Sequence, residues 1–167
     1  AVWEVATGRE VKSVSQLNPK DETLNVDPDA GISVHCSSDH RLKIWNLETK
    51  ALQQVLAGHT RPVEAAQVSS DRRWLYSMDA EQAFIWNLET AELSGILPGQ
   101  VTTIAPFSEN RLITAHRNGE IRVWNARSGQ PIQTIAQLNG TVQLSADARY
   151  VVQSNSNQFL KIWQIVI

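Results

Sequence analysis

The stretch Ile44-Trp45-Asn46-Leu47-Glu48-Thr49 occurs a second time, letter for letter, at residues 85–90 of this 167-residue chain. Two further segments, 121–125 and 160–164, carry the same alternation of apolar and polar residues, with tryptophan in the fourth position. Counting Trp3, these tryptophans are separated by 42, 41, 38 and 39 residues. A fixed period near 40 indicates a repeat architecture, in which each unit is one supersecondary structure.

A polar stretch rich in Ser, Asp and Asn precedes each of the last four tryptophan segments, and such side chains stabilise tight turns by bonding to nearby backbone amides. These turns are Val26–Asp29, Val68–Asp71, Phe107–Asn110 and Leu144–Asp147. A strand-like run follows each turn, namely Gly31–Cys36, Trp74–Met78, Arg111–Ala115 and Tyr150–Ser154. Another run, at Ala51–Leu56, Glu92–Leu97 and Pro131–Leu138, follows three of the tryptophan segments. No segment shows the apolar spacing of an amphipathic helix. The sequence therefore predicts an all-β fold, built of β-propeller blades with four antiparallel strands each.

These repeats resemble the WD-repeat family, whose pattern is a Gly-His pair, a turn such as Ser-Pro-Asp-Gly and a closing Trp-Asp. The best match runs from Gly58-His59 through residues 68–71 to Trp86-Asn87, and the resemblance covers essentially the whole chain. It implies blades with strands a, b, c and d from the central channel outward, and a tryptophan on strand c. The closing Asp is replaced in every repeat, by Glu4, Asn46, Asn87, Asn125 and Gln164.

In this family a His, a Ser or Thr, an Asp and the Trp form a buried hydrogen-bonded network within a blade. The resemblance implies that the second repeat supplies His59, Ser77, Asp79 and Trp86. The other repeats supply parts of the pattern: Asp39 and Trp45 with His35 at the Ser position, then Thr114, Asn118 and Trp124, then Gln153, Asn157 and Trp163.

Strand counting places the blade boundaries. We expect residues 1–17 to end one blade, residues 18–56, 57–97 and 98–138 to form complete blades, and residues 139–167 to form a final blade without its outer strand. About four blades in an incomplete ring are therefore expected, as the C-terminal part of a larger propeller. The open blade edges would expose apolar surface, so we expect the remainder of the same propeller or a second copy of the chain to cover them.

The composition excludes several classes of function. The chain is 42% hydrophobic and 19% charged, with a formal net charge of −2 and no basic patch, so no nucleic-acid partner is expected. No apolar run reaches the about 18 residues of a membrane-spanning helix, so no membrane partner is expected either. The single cysteine, Cys36, excludes an internal disulfide framework, and it favours a cytoplasmic location together with the absence of a signal-peptide pattern.

Two groups contain residue types that are found in metal sites or catalytic sites, but we interpret both groups as structural. The run from His35 to His40 contains two His, one Cys and one Asp, but its spacing matches no structural zinc pattern, and no metal or other cofactor is expected. His59, Ser77 and Asp79 have the composition of a catalytic triad. The family resemblance assigns the same residues to the buried network, so no catalytic residue is predicted.

The predicted function is a non-catalytic protein-interaction scaffold or sensor, part of a larger multidomain protein. In this family the d–a and b–c loops lie on one face, which commonly holds a protein or peptide partner. The candidate partner-binding residues on that face are His40, Arg61, Gln100 and Arg117. Arginine is favoured because it is enriched at interface hot spots.

An enzyme or cofactor-binding propeller of quinoprotein type is the alternative. Its support is a faint resemblance of the Thr7-Gly8 and Ser128-Gly129 turns to the Thr-Gly turns of that family. A catalytic propeller needs charged or metal-binding groups near its channel, and the expected inner strands offer only Glu64 as a candidate. A purely structural role, in which the blades contact only their neighbours, is a third possibility.

Overall fold

The computed structural model describes residues 2–4, 9–12, 21–108, 110–145, 147–154 and 160–165, and the first two of these ranges by their backbone alone. All regular structure in the described residues is β-strand. The strands are β1 (Val2–Glu4), β2 (Arg9–Lys12), β3 (Glu22–Asp27), β4 (Ile32–Cys36), β5 (Leu42–Asn46), β6 (Leu52–Leu56), β7 (Ala65–Val68), β8 (Trp74–Met78), β9 (Gln82–Asn87), β10 (Glu92–Pro98), β11 (Val101–Ser108), β12 (Arg111–His116), β13 (Glu120–Asn125), β14 (Pro131–Gln137), β15 (Thr141–Leu144), β16 (Tyr150–Ser154) and β17 (Leu160–Gln164). The described residues contain no helix with the length and hydropathy that a membrane span requires.

The strands form antiparallel sheets in which each strand pairs with its neighbour along the chain. Strands β3–β6, β7–β10 and β11–β14 make three four-stranded sheets, which are called here the first, second and third blades. Strands β15–β17 make a three-stranded sheet, the fourth blade, and β1 pairs with β2. The predicted all-β fold of propeller blades, in a ring that is not closed, is confirmed.

The hydrophobic core lies between consecutive blades, because the facing sides of neighbouring sheets bury apolar side chains against each other. One cluster packs Val34, Leu42 and Ile44 of the first blade against Leu75 and Trp86 of the second. A second cluster joins the second and third blades, and a third cluster joins the third and fourth blades. The two middle strands of each complete blade are the most buried, whereas the outer strands β6, β10 and β14 are largely exposed.

Asparagine side chains hold the turns that follow strand c. The side-chain oxygen of Asn87 accepts hydrogen bonds from the backbone N–H groups of Glu89 and Thr90, at 2.8 and 3.2 Å. Asn46 and Asn125 make the same pair of bonds to the second and third residues after them. An Asp would accept the same bonds, so Asn can replace the family's closing Asp without loss of the turn.

Alternation of strand direction places the connections on two opposite sides of the arc. The a–b and c–d turns lie on one side, which is called here the turn face. The b–c and d–a connections lie on the other side, called here the loop face; those described in full are residues 37–41, 57–64, 79–81, 99–100, 117–119 and 138–140. The loop face carries all four residues that the sequence suggests for partner binding.

Candidate partner-binding face

A buried hydrogen-bonded network ties the loop face to the core of the second blade. The indole N–H of Trp86 donates to Ser77 Oγ at 2.8 Å, and Ser77 Oγ lies 2.7 Å from His59 Nε2. His59 Nδ1 lies 2.8 Å from Asp79 Oδ2. Burial lowers the pKa of His59, against the opposing effect of Asp79, so the ring is neutral at pH 7. A neutral ring protonated on Nδ1 satisfies every bond in this chain, with Ser77 donating to Nε2.

This network has the order of groups of a catalytic triad but no access for a substrate. Ser77 is 0% exposed, and the side chains of His59 and Asp79 are 1% and 2% exposed. Phe84 covers the imidazole at a centroid distance of 3.9 Å. A nucleophile must meet its substrate in a cleft, so this arrangement serves to fix the blade. Asp79 also accepts the backbone N–H groups of Glu81 and Gln82, which holds the b–c turn.

The third blade contains a related network whose histidine the sequence analysis did not identify. Trp124 Nε1 donates to Thr114 Oγ1 at 2.7 Å, and Thr114 Oγ1 lies 2.8 Å from His116 Nε2. The histidine therefore comes from the end of strand b, and not from the d–a loop as His59 does. The signal that could have found it is the alternation Thr114-Ala115-His116, which places Thr and His on one face of a strand. Burial, with a smaller effect of Arg122, lowers the pKa of His116 to about 4.

The tryptophans of the first and fourth blades do not make the hydrogen bond to a Ser or Thr hydroxyl that Trp86 and Trp124 make. Trp45 Nε1 is buried without a hydrogen-bond partner among the described residues, because both ring nitrogens of His35 bond elsewhere, to Thr23 and Ser33. In the fourth blade Trp163 Nε1 donates to Gln153 Oε1 at 3.4 Å, and the Gln153 amide donates to the Asn139 carbonyl at 2.6 Å. The hydrogen-bonded network of the strand c tryptophan is therefore most complete in the second blade and less complete in the blades on either side of it.

Two residues that the resemblance places in the networks lie in exposed b–c turns. Asp39 accepts a hydrogen bond from Ser37 Oγ at 2.5 Å and pairs with Arg41, while Asn118 Oδ1 accepts the backbone N–H of Glu120. Neither contacts the histidine of its own blade by a hydrogen bond. Asn157 and the Thr7-Gly8 turn lie outside the described residues.

The run from His35 to His40 does not converge on one point. His35 bonds to Thr23 and Ser33, whereas the thiol of Cys36 is directed to the Ser37 carbonyl at 3.5 Å. His40 occupies the b–c turn with a backbone φ of 63°. In the described part of the chain, no three His, Cys, Asp or Glu side chains are grouped as metal ligands.

The structure brings together two of the four candidate partner-binding residues. The backbone N–H of Arg117 donates to the Gln100 carbonyl at 2.8 Å, which joins the b–c and d–a loops of the third blade. Arg61 lies in the d–a loop of the second blade, where it pairs with Glu81 at 2.7 Å. His40 lies in the b–c turn of the first blade, so the four residues are spread over three blades.

Two cavities open beside Arg117 on the loop face. One, of about 200 Å³, lies within the third blade between Gly99-Gln100 and the start of β13. The other, of about 520 Å³, lies between the third and fourth blades. His116 and Arg117 line both cavities. Ligand pockets in proteins commonly enclose about 300–1,000 Å³, so the larger one has the size of a binding cleft.

Comparison with known proteins supports the fold and gives a distant sequence relationship. No protein-family model matches the chain. Nuclear distribution protein nudF of Aspergillus niger is 26% identical over 141 residues, which cover 77% of this chain and 32% of nudF. The chain thus spans about a third of the length of this curated relative.

Two solved structures share the arrangement of the sheets. The computationally designed Ika4 protein superposes with a TM-score of 0.71 and 22% identity, over 95% of this chain and 99% of Ika4. U3-55K superposes with a TM-score of 0.73 and 21% identity, over 89% of this chain and 50% of U3-55K. These identities support a common fold and nothing finer. The chain is an all-β protein of propeller blades, similar in sequence to nudF and in fold to Ika4 and U3-55K.

Proposed function

We propose that this chain is a WD-repeat protein-interaction module, which presents its loop face to a protein or peptide partner without catalysing a reaction. The partner-binding residues in this proposal are His40, Arg61, Gln100 and Arg117. The blade boundaries expected from the sequence, the place of the chain within a larger multidomain propeller protein and a cytoplasmic site of action belong to the same proposal.

The observation that carries the proposal is the rigid attachment of exposed polar loops to a buried core. In the second blade, the chain of bonds from Trp86 to Asp79 fixes the b–c turn and the d–a loop at once. In the third blade, the bond between Arg117 and Gln100 joins the equivalent loops. Loops held by a scaffold can present side chains to a partner at low entropic cost. The sequence similarity to nudF supports the same family.

The structure offers little support for the enzymatic alternative. Strands β7, β11 and β15, three of the four inner strands, carry no acidic, basic or histidine side chain. The only arrangement that has the order of a catalytic triad, at His59, Ser77 and Asp79, is sealed in the core among the described residues. We therefore keep recognition, and not chemistry, as the proposed mechanism.

Site-specific photo-crosslinking of the full chain in its native cells tests the proposal. Benzoylphenylalanine at Gln100, on the loop face, should yield a discrete crosslinked protein that mass spectrometry identifies. The matched position is Ser70, which is exposed in an a–b turn of the turn face and should not yield the same product. Equal crosslinking at both positions, or none at Gln100, would reject the loop face as the partner-binding surface.

A further inference from the structure

Arg117 differs from the other arginines of the described loop face in having no carboxylate partner. Arg41 pairs with Asp39 at 3.4 Å and Arg61 pairs with Glu81 at 2.7 Å. Arg122, at the start of β13 beside the smaller cavity, pairs with Glu120. Among the described residues, no carboxylate oxygen lies within 4.0 Å of the Arg117 guanidinium, and no acceptor is hydrogen-bonded to it. Within the described part of the chain, the charge of Arg117 is therefore uncompensated.

The backbone that carries Arg117 is held in place on both sides. Its own N–H donates to Gln100, and the N–H of Gly119 donates to the His116 carbonyl at 2.8 Å. The Gly119 carbonyl accepts the N–H of Leu138 at 2.9 Å. Gly119 has a φ of 85°, and a side chain there would lie 1.7 Å from the Leu138 carbonyl oxygen, so only glycine fits this turn. The backbone of this turn therefore needs no ordering when the Arg117 side chain binds a partner.

Arg117 lines the cleft between the third and fourth blades. This cleft is lined by Thr102, His116, Arg117, Gly140, Thr141 and Val142. None of these residues is acidic, and the single acid of the adjoining smaller cavity, Glu120, is engaged with Arg122 and Asn118. Thr102 Oγ1 already donates to the Ala115 carbonyl at 3.2 Å. The Thr141 hydroxyl, the Gly140 backbone and the Arg117 guanidinium make the cleft polar and positively charged.

We propose that this cleft binds a carboxylate of an extended peptide segment, an Asp or Glu side chain or a C-terminal carboxylate, with Arg117 as its bidentate partner. The proposal rests on the proposed function and names the chemistry that the loop face recognises. One guanidinium carries one positive charge in a planar fork that matches a carboxylate. A phosphate, with about two negative charges at pH 7, calls for more than one cation, and His116 adds none at that pH because burial keeps it neutral.

Selection of random seven-residue peptides displayed on phage, against the full chain, tests this assignment. The peptides are displayed in two libraries, one of which leaves the C-terminus free. The selected peptides are expected either to share Asp or Glu at one position or to come only from the library with a free C-terminal carboxylate. A synthetic copy of the best peptide, labelled for fluorescence polarisation, is then compared with the copy in which that residue is Gln or the terminus is amidated. The neutral copy should bind the unaltered chain at least tenfold more weakly, because a charge-assisted pair is lost.

Two variants of the chain test whether the preference for an acidic peptide depends on Arg117 or on the overall charge of the chain. Arg117→Gln should bind the acidic and neutral peptides equally, within about twofold. Arg127→Gln, in an exposed c–d turn of the turn face, is the matched control and should keep the tenfold preference. Both variants should melt at the temperature of the unaltered chain, since both side chains are exposed.

The outcomes also distinguish this inference from the proposed function. Peptides that bind the loop face without any preference for an acid would overturn the carboxylate site alone. A phosphoserine copy that binds more than tenfold better than the Glu copy would replace it by a phosphate site. Failure of both the selection and the Gln100 crosslink would reject the interaction module itself.

Discussion

Ser77 Oγ accepts the indole N–H of Trp86 and lies within hydrogen-bond distance of His59 Nε2, so one hydroxyl serves two buried partners. Ser77→Ala leaves both groups without a partner in the core. We expect the substitution to lower the free energy of unfolding by about 2–6 kcal/mol, because each of the two orphaned buried groups costs about 1–3 kcal/mol. Urea unfolding measures the loss. Ser70→Ala, on an exposed turn, is the control and should change stability by less than about 0.5 kcal/mol. Equal effects of the two changes would show that the network contributes nothing.

The lowered pKa of His116 predicts that part of the free energy of unfolding is lost at acid pH. Its pKa is about 4 in the folded chain and 6.5 as the ordinary value. As the pH falls below about 6.5, the unfolded chain takes up this proton first, so stability is lost progressively until about pH 4. The loss from this residue amounts to at most about 3 kcal/mol, at about 1.36 kcal/mol per pKa unit.

Urea unfolding between pH 7.5 and pH 4.5 measures that component. The free energy of unfolding of His116→Gln should fall less steeply with decreasing pH than that of the unaltered chain. Part of the pH dependence should remain in this variant, because His35 and His59 also have lowered pKa values. Ser70→Ala, which removes no titratable group, is the control and should follow the unaltered chain. Parallel curves for the chain and His116→Gln would contradict the assignment.

At the scale of the residue, the sequence predicted the four residues of the buried network in the second blade. It did not predict the histidine of the network in the third blade. The Gly-His pair identifies His59, and the four residues it implies do lie within hydrogen-bond distance of one another. His116 was missed because the expected strand ended at Ala115, whereas β12 extends one residue further. That Trp45 Nε1 has no partner among the described residues could not be predicted from the sequence either, since it depends on the groups to which the two ring nitrogens of His35 bond.

At the scale of the element, the turn after strand c depends on one side-chain oxygen. Asn125 Oδ1 accepts the backbone N–H groups of Arg127 and Ser128, both at 3.0 Å. Asn125→Ala should lower the free energy of unfolding by about 1–2 kcal/mol, since two bonds of about 0.5–1.5 kcal/mol each are exchanged for water. Asn125→Asp, the matched variant, keeps the accepting oxygen and should be neutral within about 0.5 kcal/mol. Thermal or urea unfolding decides, and a loss of similar size in both variants would reject the acceptor role.

Element positions were well predicted because the signals were local. The expected run Trp74–Met78 coincides with β8, and Tyr150–Ser154 coincides with β16. Alternating apolar residues bounded by turn formers suffice for such strands. The cleft beside Arg117 was not predicted, because it forms between two blades and depends on how far Gly140 and Thr141 lie from residues about 40 positions earlier, such as Thr102.

At the scale of the whole molecule, the fourth blade differs from the others in the exposure of its tryptophan strand. Trp86 and Trp124 are 1% and 2% exposed, whereas Trp163 is 47% exposed and Leu160 and Ile162 are each 71% exposed. In the described part of the chain β17 pairs with β16 on one side and with no strand on the other. An apolar edge strand of this kind is a template for pairing with another chain.

We therefore predict that the 167-residue chain, purified alone, associates through β17. Size-exclusion chromatography with light scattering at micromolar concentration should give at least twice the 18.6 kDa of one chain. Ile162→Lys should return the mass to that of one chain, because a charge on an edge strand opposes strand pairing. Ile132→Lys, on the exposed outer strand β14, is the matched control and should leave the association intact. A monomer at all concentrations would contradict the prediction and show that this edge, although apolar, does not recruit a second copy.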